Sequence, residues 1–509
     1  MTNTIMMKRP FFSPCVYLVS VLFIVCLAAC GGKKESRGAD PPPNILFIMT
    51  DQQYAGMMSC TGNAYLETPA LDRLAASGIR FELAYSPNPV CIPSRTSMMT
   101  GYFPSAFGVT HNSDAKDAVI PGHVLENTLG RLMQRAGYHC VYGGKTHWAR
   151  GLDMESCGFE DLIRDEREGL AEKCAEFFQS KPEEPFFLVA SLINPHDICY
   201  VEIDAAIQYY GLPEFAPKNK VERQKIAEAV QLAEKARMDG IYDSLCPPLK
   251  ANFELTENVP GILHANLRPE PTGEPKASDV YFYMHDHVRN NWTEDDWRMH
   301  HWIYHRLTED VDRQIGTILD ALGESGLDKN TIIVFTSDHG DMDGSHKMVH
   351  KTQFYEEAAR VPFIVAGPGI AQGVDRQHLV SASVDLVPTF CDFAGVEIPE
   401  GVHGRSIKQL AEGKPSGVWR DFIISETNLG RMVRSGRYKY CQFKGGEPRE
   451  MLIDMEKDPG EMKNLAGLEE YKDVLEDHRS ILYEWTKQVD DKVAMQYLMM
   501  NAGRGPMHD

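Results

Sequence analysis

Five short apolar runs, each giving way to polar residues, set the strongest limit on how this chain can fold. They are Asn44 to Thr50 (N-I-L-F-I-M-T, then Asp51), Tyr138 to Tyr142, Pro185 to Leu192 (then Asn194-Pro195-His196), Thr331 to Thr336 (then Asp338-His339) and Val361 to Ala366. Runs of this length bounded by polar residues read as buried strands. Helical patterns stand between them. Thr68 onward supplies a cap, a proline in the first turn, an apolar stripe and a closing glycine, Thr128 to Gly137 repeats that logic, and Thr308 to Gly323 is amphipathic. Strands alternating with helices predict an α/β fold with a large mixed, mainly parallel sheet flanked by helices. Polar residues gathered just past the strand ends predict one composite site there, where open α/β sheets hold their ligands.

The 509 residues leave room for one large core and a smaller second domain. Residues 44–414 carry the strand and helix alternation. From about residue 415 the pattern changes to short strands at Phe422 to Ser425, Met432 to Arg434, Tyr438 to Phe443 and Met451 to Asp454, followed by a helix near Leu468 to Lys487. Residues 415–509 are therefore expected to form a small α+β domain. Residues 200–300 break the rhythm with polar helices, prolines and an aromatic, His-rich stretch at Tyr281 to His287 and Trp292 to Trp302. Such an insertion either covers a substrate or decorates the fold.

At the N-terminus Lys8 and Arg9 precede an apolar run from Val16 to Ala29, too short for a comfortable span, which reads as a signal peptide over residues 1–29. It ends Leu27-Ala28-Ala29-Cys30, which resembles a bacterial lipobox whose Cys30 becomes the lipidated first residue. Residues 30–43 are small, polar and then triple-proline, as in a tether. No later stretch is apolar enough to cross a bilayer. The expectation is a protein of the bacterial envelope, periplasmic or at the cell surface, held to its membrane by the N-terminal lipid alone.

The net charge is −20, and loss of Lys8 and Arg9 with the leader would make the chain more acidic still. Such a field argues against nucleic acid as a partner and against a long polyanion lying across the surface. An anionic substrate would need locally clustered cations in a pocket. Of the 12 cysteines, eight outside the leader, Cys30 and Cys91 are scattered with no C-x-x-C pair and no zinc spacing. Buried thiols or one or two disulfides both remain open.

Cys91-Ile92-Pro93-Ser94-Arg95, running into Thr96 to Gly101, matches the C-x-P-S-R signature of the type I sulfatases. The chain resembles that family, in its bacterial polysaccharide and glycosaminoglycan branch, from Asn44 to about Leu465. Supporting segments include Thr68 to Gly78, Tyr355 to Pro362, Ser383 to Pro388, His403 to Ser406 and Asp454 to Pro459. The resemblance implies an alkaline-phosphatase-like fold, hydrolysis of a sulfate ester, and conversion of Cys91 to formylglycine. The partner for that conversion would be a formylglycine-generating or an anaerobic sulfatase-maturating enzyme.

It also implies one calcium ion held by Asp51, Gln52, residue 91, Asp338 and His339, with Cys91 as formylglycine. Carboxylate and amide oxygens suit Ca²⁺ or Mg²⁺ better than a soft metal. Many relatives have Asp at Gln52 and Asn at His339, so another divalent ion is admitted. By the same resemblance Lys145 and His147 match the G-K-x-H segment, His196 the later histidine, and Lys351 the family lysine in D-H-G-D-M-D-G-S-H-K-M-V-H-K.

The chemistry accounts for these residue types. A sulfate ester needs a nucleophile at sulfur, neutralised oxygens and a proton for the leaving alkoxide. By family resemblance the hydrate of formylglycine attacks sulfur and its second hydroxyl then expels sulfate, with His147 as base. His196 or Lys351 would protonate the leaving oxygen, while Arg95 and Lys145 hold the diol and the metal-side oxygens. His111 and Asn112, after the Cys91 helix, either face the sugar or form an ordinary turn.

The expected substrate is a sulfated oligosaccharide. The sequence around N-P-H-D-I-C resembles enzymes for uronic acid 2-O-sulfate of heparin or chondroitin fragments, with amino-sugar 6-O-sulfate as the competitor. A phosphonate monoester or phosphodiester hydrolase of the same superfamily is the alternative enzyme. An unmodified sulfated-glycan binding protein is the alternative without catalysis. A phosphatase of the wider superfamily would need Ser or Thr at position 91 and a second metal set, which the sequence does not reveal.

Overall fold

The computed structural model describes residues 42–164, 167–212, 223–258, 280–414 and 417–501. The leader 1–29, Cys30 and the tether up to residue 41 lie outside the described residues, as do two stretches of the 200–300 insertion. In chain order the strands are β1 (Asn44–Asp51), β2 (Gly78–Phe81), β3 (Ala84–Tyr85), β4 (His139–Gly144), β5 (Glu160–Ile163), β6 (Phe186–Pro195), β7 (Thr331–Ser337), β8 (Phe363–Ala366), β9 (Gly373–Asp375) and β10 (Val380–Ser381). Eight of them form one sheet in the order β5-β4-β6-β1-β7-β8-β2-β9, and β3 pairs with β10 apart from it. Neighbours from β5 to β7 run parallel, whereas β8 is antiparallel to both β7 and β2. The expected α/β fold with a mixed, mainly parallel sheet is the fold observed.

The long apolar runs are explained by burial on both sides. Ile45, Phe47 and Met49 of β1 join Val189, Val334 and Phe390 in one core. Leu46 and Ile48 join Leu188, Phe335, Ile315 and Leu322 in the other. Each such side chain contributes about 1.5–3 kcal/mol by leaving water. Helices Cys91–Thr100, Leu129–Arg135 and Leu386–Ala394 cover the first face, and Pro69–Ser77, Leu170–Gln179 and Glu294–Ser325 the second.

The helix expected over Thr308 to Gly323 begins much earlier, at Glu294. The Thr293 side chain accepts from Asp296 N–H while the Asp296 side chain takes Thr293 N–H, and three acids in the first turn face the helix dipole. The end of the 200–300 insertion thus lies inside this helix. The short strands β2, β5 and β9 have no counterpart in the sequence-based expectation.

Beyond residue 417, β11 (Phe422–Thr427), β12 (Gly430–Ser435), β13 (Tyr438–Phe443) and β14 (Glu450–Asp454) form an antiparallel meander. One face packs Val433, Tyr440 and Leu452 against Leu475, Leu482 and Trp485, largely from helix Lys472–Gln488. The other packs Met432, Cys441 and Met451 against Met342, Phe354 and Tyr355 of the segment after β7. Lys439, fully buried, lies 2.8 Å from Glu356 and 2.7 Å from Glu461. Residues from Pro42 onward form one compact unit. All nine described cysteines are free thiols, eight of them buried. Among the described residues no helix is long and apolar enough to cross a membrane.

Candidate active site

Cys91 opens the Cys91–Thr100 helix, whose ten residues are all buried. Val90 is extended, Pro93 occupies the first turn, where no intrahelical donor is lost, and Asn112 Oδ1 accepts the Ile92 N–H at 3.0 Å. The positive end of the helix therefore points at residue 91. One turn later on the same face, Arg95 turns back toward the sheet.

Four strand ends meet this helix. β1 delivers Asp51, the residue after β4 is Lys145, β6 runs into His196, and β7 is followed by Asp338 and His339. Arg95 Nη2 lies 3.0 Å from Asp51 Oδ2 and Arg95 Nε 2.7 Å from Asp338 Oδ2. Lys145 Nζ reaches the same Asp51 oxygen at 2.7 Å. The Cys91 thiol contacts Lys351 Nζ at 2.9 Å and His339 Nε2 at 3.1 Å. Gln52, at a left-handed φ of 69°, accepts from Lys351 Nζ at 2.9 Å and donates to Asp341 Oδ2 at 2.6 Å.

The electrostatics follow from this crowding. Burial and Asp51 push the Cys91 thiol up, but Lys351, His339 and Lys145 outweigh them and hold it well below the ordinary thiol range. A group at position 91 is thus stabilised as an anion. Burial would raise Asp51, yet Lys145, His196, Arg95 and Lys351 hold it well below the ordinary carboxyl range. Asp338 is raised, by burial and by the neighbouring Asp51 charge. Three cations, Arg95, Lys145 and Lys351, face two carboxylates and the anionic group at position 91.

Residues 43–396 match the family described as Sulfatase. The chain belongs to the sulfatase family. It is a sulfuric ester hydrolase, and residues 344–488 further match the family described as N-sulphoglucosamine sulphohydrolase, C-terminal. This sulfatase is 31% identical to a Delta 4,5-hexuronate-2-O-sulfatase of Bacteroides thetaiotaomicron, over 91% of this chain and 92% of that one. It is 27% identical to an N-acetylglucosamine-6-O-sulfatase of the same organism, over 93% and 91% of the two chains. A solved 2-O GAG sulfatase superposes with a TM-score of 0.72 at 28% identity, covering 89% of this chain and 93% of that one.

The sulfatase's buried donors fit the metal its family implies. Asp51, Cys91, Asp338 and His339 each offer one ligand atom within 4.8 Å of the others. The outer oxygens of the two carboxylates are taken by Arg95 and Lys145, while both Oδ1 atoms face His339 Nε2, at 3.7 and 3.6 Å. Two buried carboxylates this close repel unless a cation lies between them. Gln52 sits beside this group and has its amide oxygen on Lys351.

Other expected site residues are placed differently. His196 stands near Lys145, Asp51 and Lys351; burial first, and then Lys145, lower its pKa to about 4. His147 is exposed at a left-handed φ of 45° and is not among the groups that contact Cys91. His111 caps the short helical turn Asn112–Asp117 by accepting from Ser113 N–H, and Asn112 holds the Cys91 helix. Residues not singled out from the sequence complete the site of this sulfatase. Ser191 Oγ accepts from Arg95 Nη1 at 2.8 Å, and Ser86 and Ser94 each donate to the Asp338 carbonyl at 2.7 Å. The one visible signal was Ser191 interrupting the apolar run of β6.

Proposed function

We propose that this sulfatase removes the 2-O-sulfate from a uronic acid of glycosaminoglycan fragments, using a formylglycine made from Cys91 and a divalent cation, calcium foremost. The observation that carries it is the pair of contacts from Lys351 and His339 onto the Cys91 thiol in front of Asp51 and Asp338. The 2-O-sulfatase relative supports the sugar position, and the amino-sugar 6-O-sulfatase relative supplies the competing one.

Formylglycine would supply, as its hydrate, one oxygen for attack on sulfur and a second hydroxyl for release of sulfate. Lys351 and His339 hold negative charge where that oxygen stands, and the helix N-terminus adds to them. Arg95 fixes Asp51 and Asp338 relative to residue 91. Asp51, Gln52, Asp338 and His339 would hold the cation, which would polarise the sulfate oxygens. Lys145 closes the anion's other side. Of the two expected donors to the leaving alkoxide, Lys351 carries the proton, while burial and Lys145 hold His196 neutral; His147, the expected base, would have to turn inward from its exposed position to reach residue 91. The L-A-A-C sequence at Cys30 supports a lipid-anchored protein of the bacterial envelope, matured by a formylglycine-generating or anaerobic sulfatase-maturating enzyme.

The test is release of inorganic sulfate from a panel of sulfated disaccharides, with protein co-expressed with a formylglycine-generating enzyme and a Cys91→Ala control. Release from 2-O-sulfated uronates alone, absent in the control, is the expected result. Release only from 6-O-sulfated amino sugars would replace the sugar assignment, and turnover only of phosphonate or phosphate diesters would overturn the reading.

A further inference from the structure

A second group of metal-ligating side chains lies on the long helix and the loop after β7, apart from the Cys91 site. His300 Nδ1, His301 Nδ1 and Asp343 Oδ1 lie within 4.8 Å of one another, all buried. His301 Nδ1 is 2.8 Å and His300 Nδ1 3.5 Å from Asp343 Oδ1. Glu202, from helix Cys199–Tyr210, stands behind His300 with Oε2 3.8 Å from its Nε2. Gly344 lies flat against the His301 ring, where a Cβ would sit 2.7 Å from Cε1.

The group is polar, buried and incompletely satisfied. Both ring nitrogens of His300, Nε2 of His301 and both oxygens of Glu202 are buried without a hydrogen-bond partner among the described residues. Native interiors rarely leave such groups orphaned, and a buried carboxylate is among the most costly. Lys250 Nζ lies 3.0 Å from Asp343 Oδ2, the only lysine ion pair made by this group among the described residues.

We propose that His300 Nδ1, His301 Nδ1 and Asp343 Oδ1 bind one divalent transition-metal ion of the zinc class, in a closed site separate from that beside Cys91. Two imidazoles and one carboxylate are the donor set of zinc and its neighbours, in contrast to the oxygen-rich set at Asp51 and Asp338. Metal on Nδ1 leaves His300 Nε2–H to donate to Glu202, the carboxylate that orients a metal-ligating histidine. Lys250 keeps the second oxygen of Asp343. The ion would fasten the long helix to the loop that also carries Asp338, His339 and Lys351. Within that loop Asp341 accepts from Asp343 N–H at 2.7 Å and from Gln52 Nε2, so the two sites share a scaffold. The inference depends neither on the sugar nor on formylglycine.

The competing arrangement is a protonated His300 between Glu202 and Asp343. Burial lowers its pKa, but Asp343 and Glu202 more than compensate and carry it to about 10. The experiment strips the full-length protein with a chelator, restores excess calcium, adds zinc chloride and measures retained zinc per chain after desalting. Anomalous scattering at the zinc edge then locates the ion in crystals. One zinc per chain is expected, kept in Cys91→Ser, lost in His301→Gln and Asp343→Asn, with a zinc-dependent rise in Tm only where it binds. No retained zinc in the presence of calcium, or zinc found only among Asp51, Asp338 and His339, would overturn the proposal. Should the variants not fold, the position of the anomalous peak in the unsubstituted protein decides alone.

Discussion

Lys145 Nζ stands 2.7 Å from Asp51 Oδ2, the oxygen that Arg95 also holds, so the other oxygen of Asp51 is left facing Cys91. Asp338 repeats the division, with Oδ2 on Arg95 and Oδ1 turned inward beside His339. Asp51 thus keeps one oxygen toward the reaction centre, whereas Asp338 Oδ1 also accepts the N–H groups of Gln52 at 3.2 Å and His339 at 2.9 Å.

Arg95 is the shared anchor of both. Arg95→Met would strip Asp338 of its ion pair and leave Asp51 with Lys145 alone, a cost of about 3–5 kcal/mol. Sulfate release should fall by about 10²–10³-fold, as when a fixed electrostatic donor is lost. Denaturant unfolding and turnover of the same preparation check this. Unchanged stability would mean that water reaches these carboxylates.

Gln52→Asp would set a third carboxylate beside Asp51 and Asp338 and directly against Asp341, which Gln52 now meets at 2.6 Å. The metal-free variant should melt lower than the parent, and calcium should raise its Tm by more. Melting curves with and without calcium separate the effects. An equal calcium response in both proteins would remove residue 52 from the ligand set.

His196 titrates low, near 4 against an ordinary 6.5, chiefly through burial and then through Lys145. The folded protein therefore favours its neutral form. Above about 6.5 neither state is penalised. As pH falls toward 4 the unfolded chain takes the proton and the folded chain resists it, so stability declines over that window. In metal-free protein the decline should be shallower for His196→Gln. Parallel pH curves for the two would place the imidazole in water.

Lys439 tests the C-terminal sheet without touching the reaction centre. Lys439→Met would strand Glu461 in the interior and leave Glu356 to Arg360, at a cost of about 3–5 kcal/mol. Adding Glu461→Gln should recover part of it. A double variant no more stable than the single one would show that the ion pair does not govern this junction.

The strands legible in the sequence are those with both faces buried. β1, β6 and β7 have no polar alternation to confuse a reader, since Ile45 and Leu46 enter different cores yet are both apolar. β2 and β9 at the sheet's end are short and interspersed with Arg80, Gly373 and Asp375, so their pairing depends on neighbours distant in the chain. Cys91 and Arg95 were legible because the C-x-P-S-R segment resembles the signature of the sulfatase family. The grip of Gln52 on Lys351 and Asp341 was not, because it exists only after β1 and β7 lie side by side. His300 and His301 were hidden for another reason: two adjacent histidines in an amphipathic helix carry no spacing signal until Asp343 folds onto them.

Cys91 is 1% exposed, beneath Lys351 and His339 and inside a helix with no open side. A maturating enzyme of the kind proposed would need this side chain before those residues close over it. If residue 91 becomes formylglycine as proposed, the change would be made on a nascent or still unfolded chain, in the interval between the appearance of residue 91 and that of residue 351. At about 5–20 residues per second that interval lasts roughly ten seconds to a minute. Timing would then belong to the proposed activity, since a molecule that folded first would keep an unmodified Cys91.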